Sequence, residues 1–388
     1  MDLVVFGDDW GAHPSTTQHL IRAWPDARVI WVNSLGMRAP APTLSDLRRA
    51  VGKLRQGGRA WGANRSATPS TLSVVEPRVL PFHSHGIARA FNRVSLGAAL
   101  RRASHAAGME RPHVLVANPV AAYYLDTFRH ARVAYLRLDN YPLLPGVDGH
   151  LARDAEARLQ RSADACFATA ETLIPEQPRQ GLWHTLAQGV DMEHFAPRSF
   201  DPPDTRVLGF FGLLAEWVDY DLIRQVARDH PDWTLELRGP VRHLPEDLRS
   251  ISNVRVLPPV PYADLPSVIG HWRAAWLPFL CNELTQGVNP LKLREYLAAG
   301  LPTLSTPLPA ARDLRDVCSV TTSTEVGACL RQIIDSDDAG QRRGRRDAMF
   351  AHSWSARSSQ LRAQWLSPRG SAANAVQCGT SDRALVSV

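Results

Sequence analysis

Short apolar runs recur along the chain, each nearly continuous rather than alternating with polar residues. Asp2–Phe6, Arg28–Asn33, His113–Asn118, Arg132–Leu138 and Ala165–Ala168 have this pattern. It is the pattern of parallel strands covered on both faces. Between them lie stretches of helical periodicity, one from Ser15 to Trp24 with Ser15 as its N-cap, another from Gly149 to Ala163. Strands alternating with helices predict an α/β open sheet. The rhythm breaks between Arg38 and Glu76, which reads as a long insertion, helical from Leu44 to Leu54. It breaks again at Pro197–Asp204, a proline-rich stretch with no periodicity and a linker candidate. The pattern then restarts, with strands at Arg206–Phe211, Trp233–Arg238, Asn253–Leu257, Ala274–Phe279 and Pro302–Ser305. Helices are expected at Tyr220–His230, Pro290–Ala299, Glu325–Asp335 and Ser355–Trp365. Pro290 suits a first helical turn, and Gly300 suits the position after a helix end.

Two α/β units joined by a linker follow from this pattern. The N-terminal unit is expected over 1–196, with the insertion at 38–76 and the linker at 197–204. The C-terminal unit is expected over 205–350. A final helix lies within 351–366 and is placed to cross back to the N-terminal unit, and a disordered tail is expected over 367–388. Ligands of such sheets bind beyond the carboxyl ends of the strands, which points to a cleft between the halves.

At 388 residues, 44% hydrophobic and 21% charged, the chain can bury a core in each half, which excludes disorder through most of its length. Five cysteines without a Cys-x-x-Cys pair argue against a disulfide scaffold or a zinc ribbon, and reduced thiols in a cytoplasmic compartment are expected. No apolar run has the ~18–20 residues that span a bilayer, and the first ten residues lack the pattern of a signal peptide. The net charge of +6 is uneven. Arg38 to Arg111 holds thirteen basic residues against Asp46, Glu76 and Glu110. Such a field favours an anionic partner; a solvated basic face is the plain alternative. Few aromatic residues interleave with these cations, so nucleic acid is not expected as a partner.

Only two of the 44 basic residues are lysine, Lys53 and Lys292. In a chain that otherwise uses arginine, a lysine marks a place where a compact, flexible ammonium fits and a planar guanidinium does not. Lys292 lies in Thr285-Gln-Gly-Val-Asn-Pro-Leu-Lys-Leu-Arg-Glu-Tyr-Leu-Ala-Ala-Gly-Leu-Pro302. Here a small polar loop containing Gln286, Gly287 and Asn289 enters a helix N-terminus, whose amides and dipole favour an anion. Glu295 follows three residues after Lys292 on the same helical face. An ammonium beside a carboxylate there can bind a diphosphate and a ribose diol together. The same residues also suit an ordinary amphipathic helix with Leu291, Leu293, Leu297 and Ala298 turned inward.

This segment resembles the donor-site motif of GT-B glycosyltransferases, in the form used by a bacterial subgroup in surface-polysaccharide assembly. Three further segments agree. Gln188-Gly-Val-Asp-Met-Glu-His-Phe-Ala-Pro197 is similar to the signature that opens the family's interdomain linker. Gly209-Phe-Phe-Gly212 with Glu216-Trp-Val-Asp219 is similar to the first strand and loop of its donor domain. Ala163–Ala170 resembles the strand before the linker. The resemblance implies a GT-B fold of two Rossmann-like domains and transfer of a sugar from a nucleoside diphosphate sugar, with no cofactor. It also implies a lipid-linked or glycan acceptor in cell-surface polysaccharide synthesis. Gly212, Glu216, Gln286, Gly287, Asn289, Lys292 and Glu295 then become donor-binding candidates, with Lys292 stabilising the leaving diphosphate. Arg238, at the end of a donor-domain strand, joins them. The sequence departs from the family in one respect. Many retaining members carry a second glutamate eight residues before the position of Glu295, and this chain has Gly287 there.

An inverting transfer needs a general base for the acceptor hydroxyl. Asp139 in Leu136-Arg-Leu-Asp-Asn-Tyr141 is the candidate; it equally suits a turn aspartate capping its own backbone. The loop Gly7–Pro14 places Asp8, Asp9 and His13 on the acceptor side. No third ligand accompanies the paired aspartates, so no metal is assigned. A dinucleotide-dependent oxidoreductase would need Gly-x-Gly-x-x-Gly, which Gly209–Gly212 does not supply. A non-catalytic binding protein on the same fold stays open. Leu44, Leu47, Val51 and Leu54 recur at helical spacing beside Arg48, Arg49, Lys53 and Arg55, as in helices that lie on an anionic membrane. The expectation is a cytoplasmic protein docked at the inner face of the membrane.

Overall fold

The computed structural model describes residues 1–12, 14–37, 71–314 and 316–367. The helix expected at 44–54, the cations of that segment, His13 and the tail lie outside these residues.

The first sheet has seven parallel strands in the order β3-β2-β1-β4-β5-β6-β7. They are β1 (Asp2–Phe6), β2 (Arg28–Val32), β3 (Leu72–Val75), β4 (His113–Val116), β5 (Val133–Arg137), β6 (Ala165–Ala168) and β7 (Trp183–Thr185). The period of two divides β1 between two cores. Val4 and Phe6 face one with Leu96, Leu100 and Leu159, while Leu3 and Val5 face the other with Leu20, Trp24 and Trp365. The helices Gly86–Ala106 and Gly149–Ser162 cover the first face. The helix Thr16–Arg22, begun by the Ser15 hydroxyl accepting from Gln18 N at 3.3 Å, covers the second. Beside it lies the last helix, Trp354–Leu366, which has crossed back from the C-terminal half. His19 stacks on Trp354 at 4.9 Å, and Trp24 meets Trp365 edge-on at 6.3 Å.

The second sheet has six parallel strands in the order β10-β9-β8-β11-β12-β13. These are β8 (Val207–Phe211), β9 (Thr234–Arg238), β10 (Val254–Leu257), β11 (Ala274–Leu277), β12 (Thr303–Ser305) and β13 (Val317–Ser319). In both sheets the first strand in the chain is central and the order reverses beside it. The crevices beyond β1/β4 and β8/β11 are therefore the natural ligand positions.

Three sequence expectations are corrected. The insertion expected to run through Glu76 ends earlier, because Leu72–Val75 pairs with β2 as an edge strand. Only Leu72 of that strand is buried, so it carries little apolar signal. The segment entering the donor-site helix is not all loop: Glu283–Gln286 forms a helical turn, closed by a reciprocal cap between Asn282 and Thr285. Fully reduced thiols do not describe Cys318 and Cys329, whose sulfurs are joined at 2.07 Å across β13 and the helix Ser323–Ser336. The helix Gly86–Ala106 was not anticipated at all.

Candidate functional site

The donor-side site forms where β8, β9 and the helix Leu291–Ala298 meet. Gly212, just after β8, and Gly239, just after β9, bring two backbones into contact. A Cβ on Gly239 would overlap the Gly212 carbonyl. Gly212 also makes room for Lys292: a Cβ there would overlap the lysine Cε and lie 3.0 Å from Nζ. The half-buried ammonium thus rests on a glycine floor at the end of the central strand. Pro290 caps the helix without any side-chain hydrogen bond, so the first-turn amides beside Lys292 have no capping group. One turn later, Glu295 is only 8% exposed. Among the described residues, neither Lys292 nor Glu295 has a side-chain hydrogen bond or an ion pair. Burial pushes the Glu295 carboxyl up to about 7, against the opposing pull of Lys292. Burial likewise lowers the Lys292 ammonium, partly offset by Glu295. Two oppositely charged groups without side-chain partners thus lie one turn apart at the helix start, and a ligand that bonds them would offset the burial of the carboxylate.

Across the cleft, the 286–289 loop touches the N-terminal half. Thr172 Oγ1 donates to the Gln286 carbonyl at 2.8 Å, while the Gln286 side chain is exposed. Gly287 packs so closely that a Cβ would stand 3.0 Å from Leu173 Cδ2 and 3.6 Å from Asn140 Cβ. A larger residue at 287 would require the Leu173 side chain to give way by a few tenths of an ångström. Asn289 is buried and donates from Nδ2 to the Thr169 carbonyl; its Oδ1 accepts from Arg294 Nη1 at 2.6 Å. Arg294 is itself buried and also reaches His352 of the C-terminal segment. Sequence reasoning placed Asn289 at the ligand; the structure gives it an interdomain bond and leaves Arg294 as the residue that holds it. Arg294 had no sequence signal beyond its place in the motif.

Two other donor-side candidates are engaged elsewhere. Arg238 Nε donates to Glu236 at 3.1 Å, and Glu236 also meets His271 at 3.2 Å. Glu216 is exposed and paired with Arg242, which lies over the Trp217 ring at 4.8 Å. On the acceptor side, Asp139 follows β5 next to Asn140, the residue that Gly287 approaches. Its Oδ1 accepts from Asn140 N at 2.8 Å, and burial raises its carboxyl above the ordinary range. Asp8 accepts from Ser15 Oγ at 2.8 Å and Gln18 Nε2 at 2.9 Å, and Asp9 accepts from Ser34 N at 3.1 Å. These aspartates stiffen the loop after β1. Among the described residues, no three His, Cys, Asp or Glu side chains group so as to hold a metal. Tyr262, after β10, stacks on His194 at 4.1 Å and meets the His19 ring at 6.1 Å.

No family model matches the chain. Residues of the chain are 27% identical over 179 positions to the Bacillus subtilis (strain 168) protein named "Putative teichuronic acid biosynthesis glycosyltransferase TuaH". That match spans 42% of this chain and 45% of the relative, so less than half of the relative's length is covered. Among solved structures, Anabaena Alr3699/HepE in complex with UDP and glucose superposes with a TM-score of 0.62 at 14% identity, covering 94% of this chain and 98% of that one. Sucrose-phosphate synthase from Thermosynechococcus elongatus gives 0.64 at 10% identity, covering 93% and 97%. The E. coli trehalose-6-phosphate structure bound with UDP-2-fluoro glucose gives 0.63 at 10% identity, covering 94% and 99%. With both parallel sheets and the returning C-terminal helix in place, the chain has the GT-B fold.

Proposed function

We propose that the protein is a glycosyltransferase that moves a sugar from a nucleoside diphosphate sugar, with UDP as the nucleotide to test first, to an acceptor hydroxyl. One observation carries this reading: an unpaired ammonium on a glycine floor at an uncapped helix N-terminus, one turn from an unpaired buried carboxylate. The diphosphate would lie over Gly212 and Gly239, against Lys292 and the first-turn amides. Charge grows on the leaving diphosphate as the glycosidic bond breaks, and a fixed cation there lowers the barrier. Lys292 and the helix supply that charge without calling on a divalent ion. Glu295 would accept hydrogen bonds from the ribose diol. Asp139 would take the acceptor proton, its raised pKa bringing it nearer the working pH of a base. The likeness to TuaH supports an acceptor that is lipid-linked or a growing surface glycan. Such an acceptor fits a protein held at the inner face of the membrane. No helix among the described residues is long and apolar enough to cross one.

A second reading is favoured by two details. Position 287 has no carboxylate, and Asp139 caps its own neighbour's amide, as a non-catalytic binding protein would allow. Release of free UDP from UDP-sugars, with and without added acceptor, separates the two. Turnover supports the transferase; tight binding without turnover supports the binding protein.

A further inference from the structure

The helix Gly86–Ala106 is apolar on two opposite faces. Leu96 and Leu100 pack into the first core, and Ala88 is buried as well. On the far side Ile87, Phe91 and Val94 follow one another at helical spacing and are 89%, 49% and 72% exposed. Phe82, just before the helix, is 43% exposed. A surface helix ordinarily turns polar residues outward, so this stripe is the unusual face. The same face continues into Arg101, Arg102 and His105, all exposed. The helix carries four arginines and no carboxylate of its own, within the segment Arg38–Arg111 that holds thirteen cations against three acids; Arg93 pairs with Asp126 and Arg89 lies over Tyr123, which leaves Arg101 and Arg102 as the cations of this face. Its position is equally telling. The parallel strands end at the cleft, and β3 is followed by a short loop and then this helix. Its apolar N-terminal half therefore lies at the cleft end of the acceptor-side domain.

We propose that this face is the membrane-docking surface, with Ile87, Phe91 and Val94 entering the acyl boundary of an anionic bilayer and Arg101 and Arg102 meeting its phosphates. The inference deepens the transferase reading, on which the lipid-linked acceptor rests, and it assigns docking to a helix placed beside the cleft, independently of the 44–54 stretch. Anionic lipid is the occupant that the charge selects. Protruding apolar side chains bordered by cations, with no acid among them, are the pattern of an interfacial helix.

Co-sedimentation with phosphatidylcholine vesicles, with and without phosphatidylglycerol, tests this at low and high salt. The full-length protein should bind the anionic vesicles and not the neutral ones, and should be released as salt rises. I87S/F91S/V94S should weaken binding roughly a hundredfold, from partial burial of three side chains. R101Q/R102Q should weaken it about 30-fold at low salt. Both variants should keep wild-type UDP-glucose affinity, since neither touches the donor site. Equal binding to both vesicle types, no binding to either, or wild-type binding by the triple variant would overturn the proposal. So would a large fall in melting temperature of the triple variant, which would mean that the chain itself covers this face. So too would a change from dimer to monomer without vesicle binding. Vesicle binding by a protein that binds no nucleotide sugar would uphold the surface and sink the transferase reading.

Discussion

Replacing Glu295 with glutamine should make the ligand-free protein more stable at alkaline pH and worse at holding a donor. The carboxyl ordinarily titrates at 4.5 and is raised to about 7 in the folded protein. Above about pH 7, folding must therefore carry an ionised carboxylate into a site that disfavours it. A raised carboxyl means that the folded state binds more protons than the unfolded one, so stability falls as pH climbs from about 4.5 to about 7. The full shift corresponds to about 3 kcal/mol at pH 8, and less than about 1 kcal/mol has been lost at pH 5. Glutamine keeps the shape and removes the charge. E295Q should thus gain up to about 3 kcal/mol over the wild type in urea unfolding at pH 8, and little at pH 5. UDP-glucose should reverse the order, since the carboxylate has ribose hydroxyls to accept from only when the donor is bound. The wild type should also lose UDP-glucose affinity as pH falls below about 7, whereas E295Q should not. Parallel stability profiles for the two proteins from pH 5 to 8 would refute the reasoning, because Glu295 would then carry no strained charge.

Three further outcomes follow from the same geometry. K292A should weaken UDP-glucose binding at least ~30-fold through loss of a charged partner, and K292R should also be impaired because a guanidinium does not fit over Gly212, both read by calorimetry. G212A should mimic K292A in donor binding, because its methyl group occupies the space of the lysine Cε; unchanged affinity would remove the glycine floor from the account. D139N should lower kcat while leaving donor affinity near wild type, and full turnover would assign Asp139 to its turn alone.

The continuous apolar runs made the two sheets legible because central parallel strands are buried on both faces. The elements that escaped have physical reasons. β3, β7 and β13 are edge strands of three or four residues, mostly half-exposed, and leave too short a pattern to read. The helix Gly86–Ala106 was hidden because its outer face is apolar as well, so the contrast that marks a 3.6-residue period is missing. In the candidate site, Lys292 and Glu295 stood out through scarcity and spacing, both local properties. Their lack of protein partners is not local, since it depends on Gly212 and Gly239 arriving from other strands. Asn289 and Arg294 show the same limit. A polar residue in a binding motif reads as a ligand contact, and only the fold reveals that Asn289 faces Thr169 across the cleft. Asp8 and Asp9 suggested open chemistry in sequence, yet Ser15 and Gln18 already bond both oxygens of Asp8, and Ser34 N bonds Oδ1 of the exposed Asp9.

The central claim is that Lys292, Glu295 and the two glycines form a nucleoside diphosphate sugar site. Calorimetric titration of the full-length protein with a panel of nucleoside diphosphate sugars, repeated with K292A, tests it most directly. The account predicts saturable binding of at least one of these sugars with one donor per chain, and its loss in K292A while the variant keeps its cooperative unfolding. Binding of none of them by the wild type, or equal binding by a well-folded K292A, would contradict it.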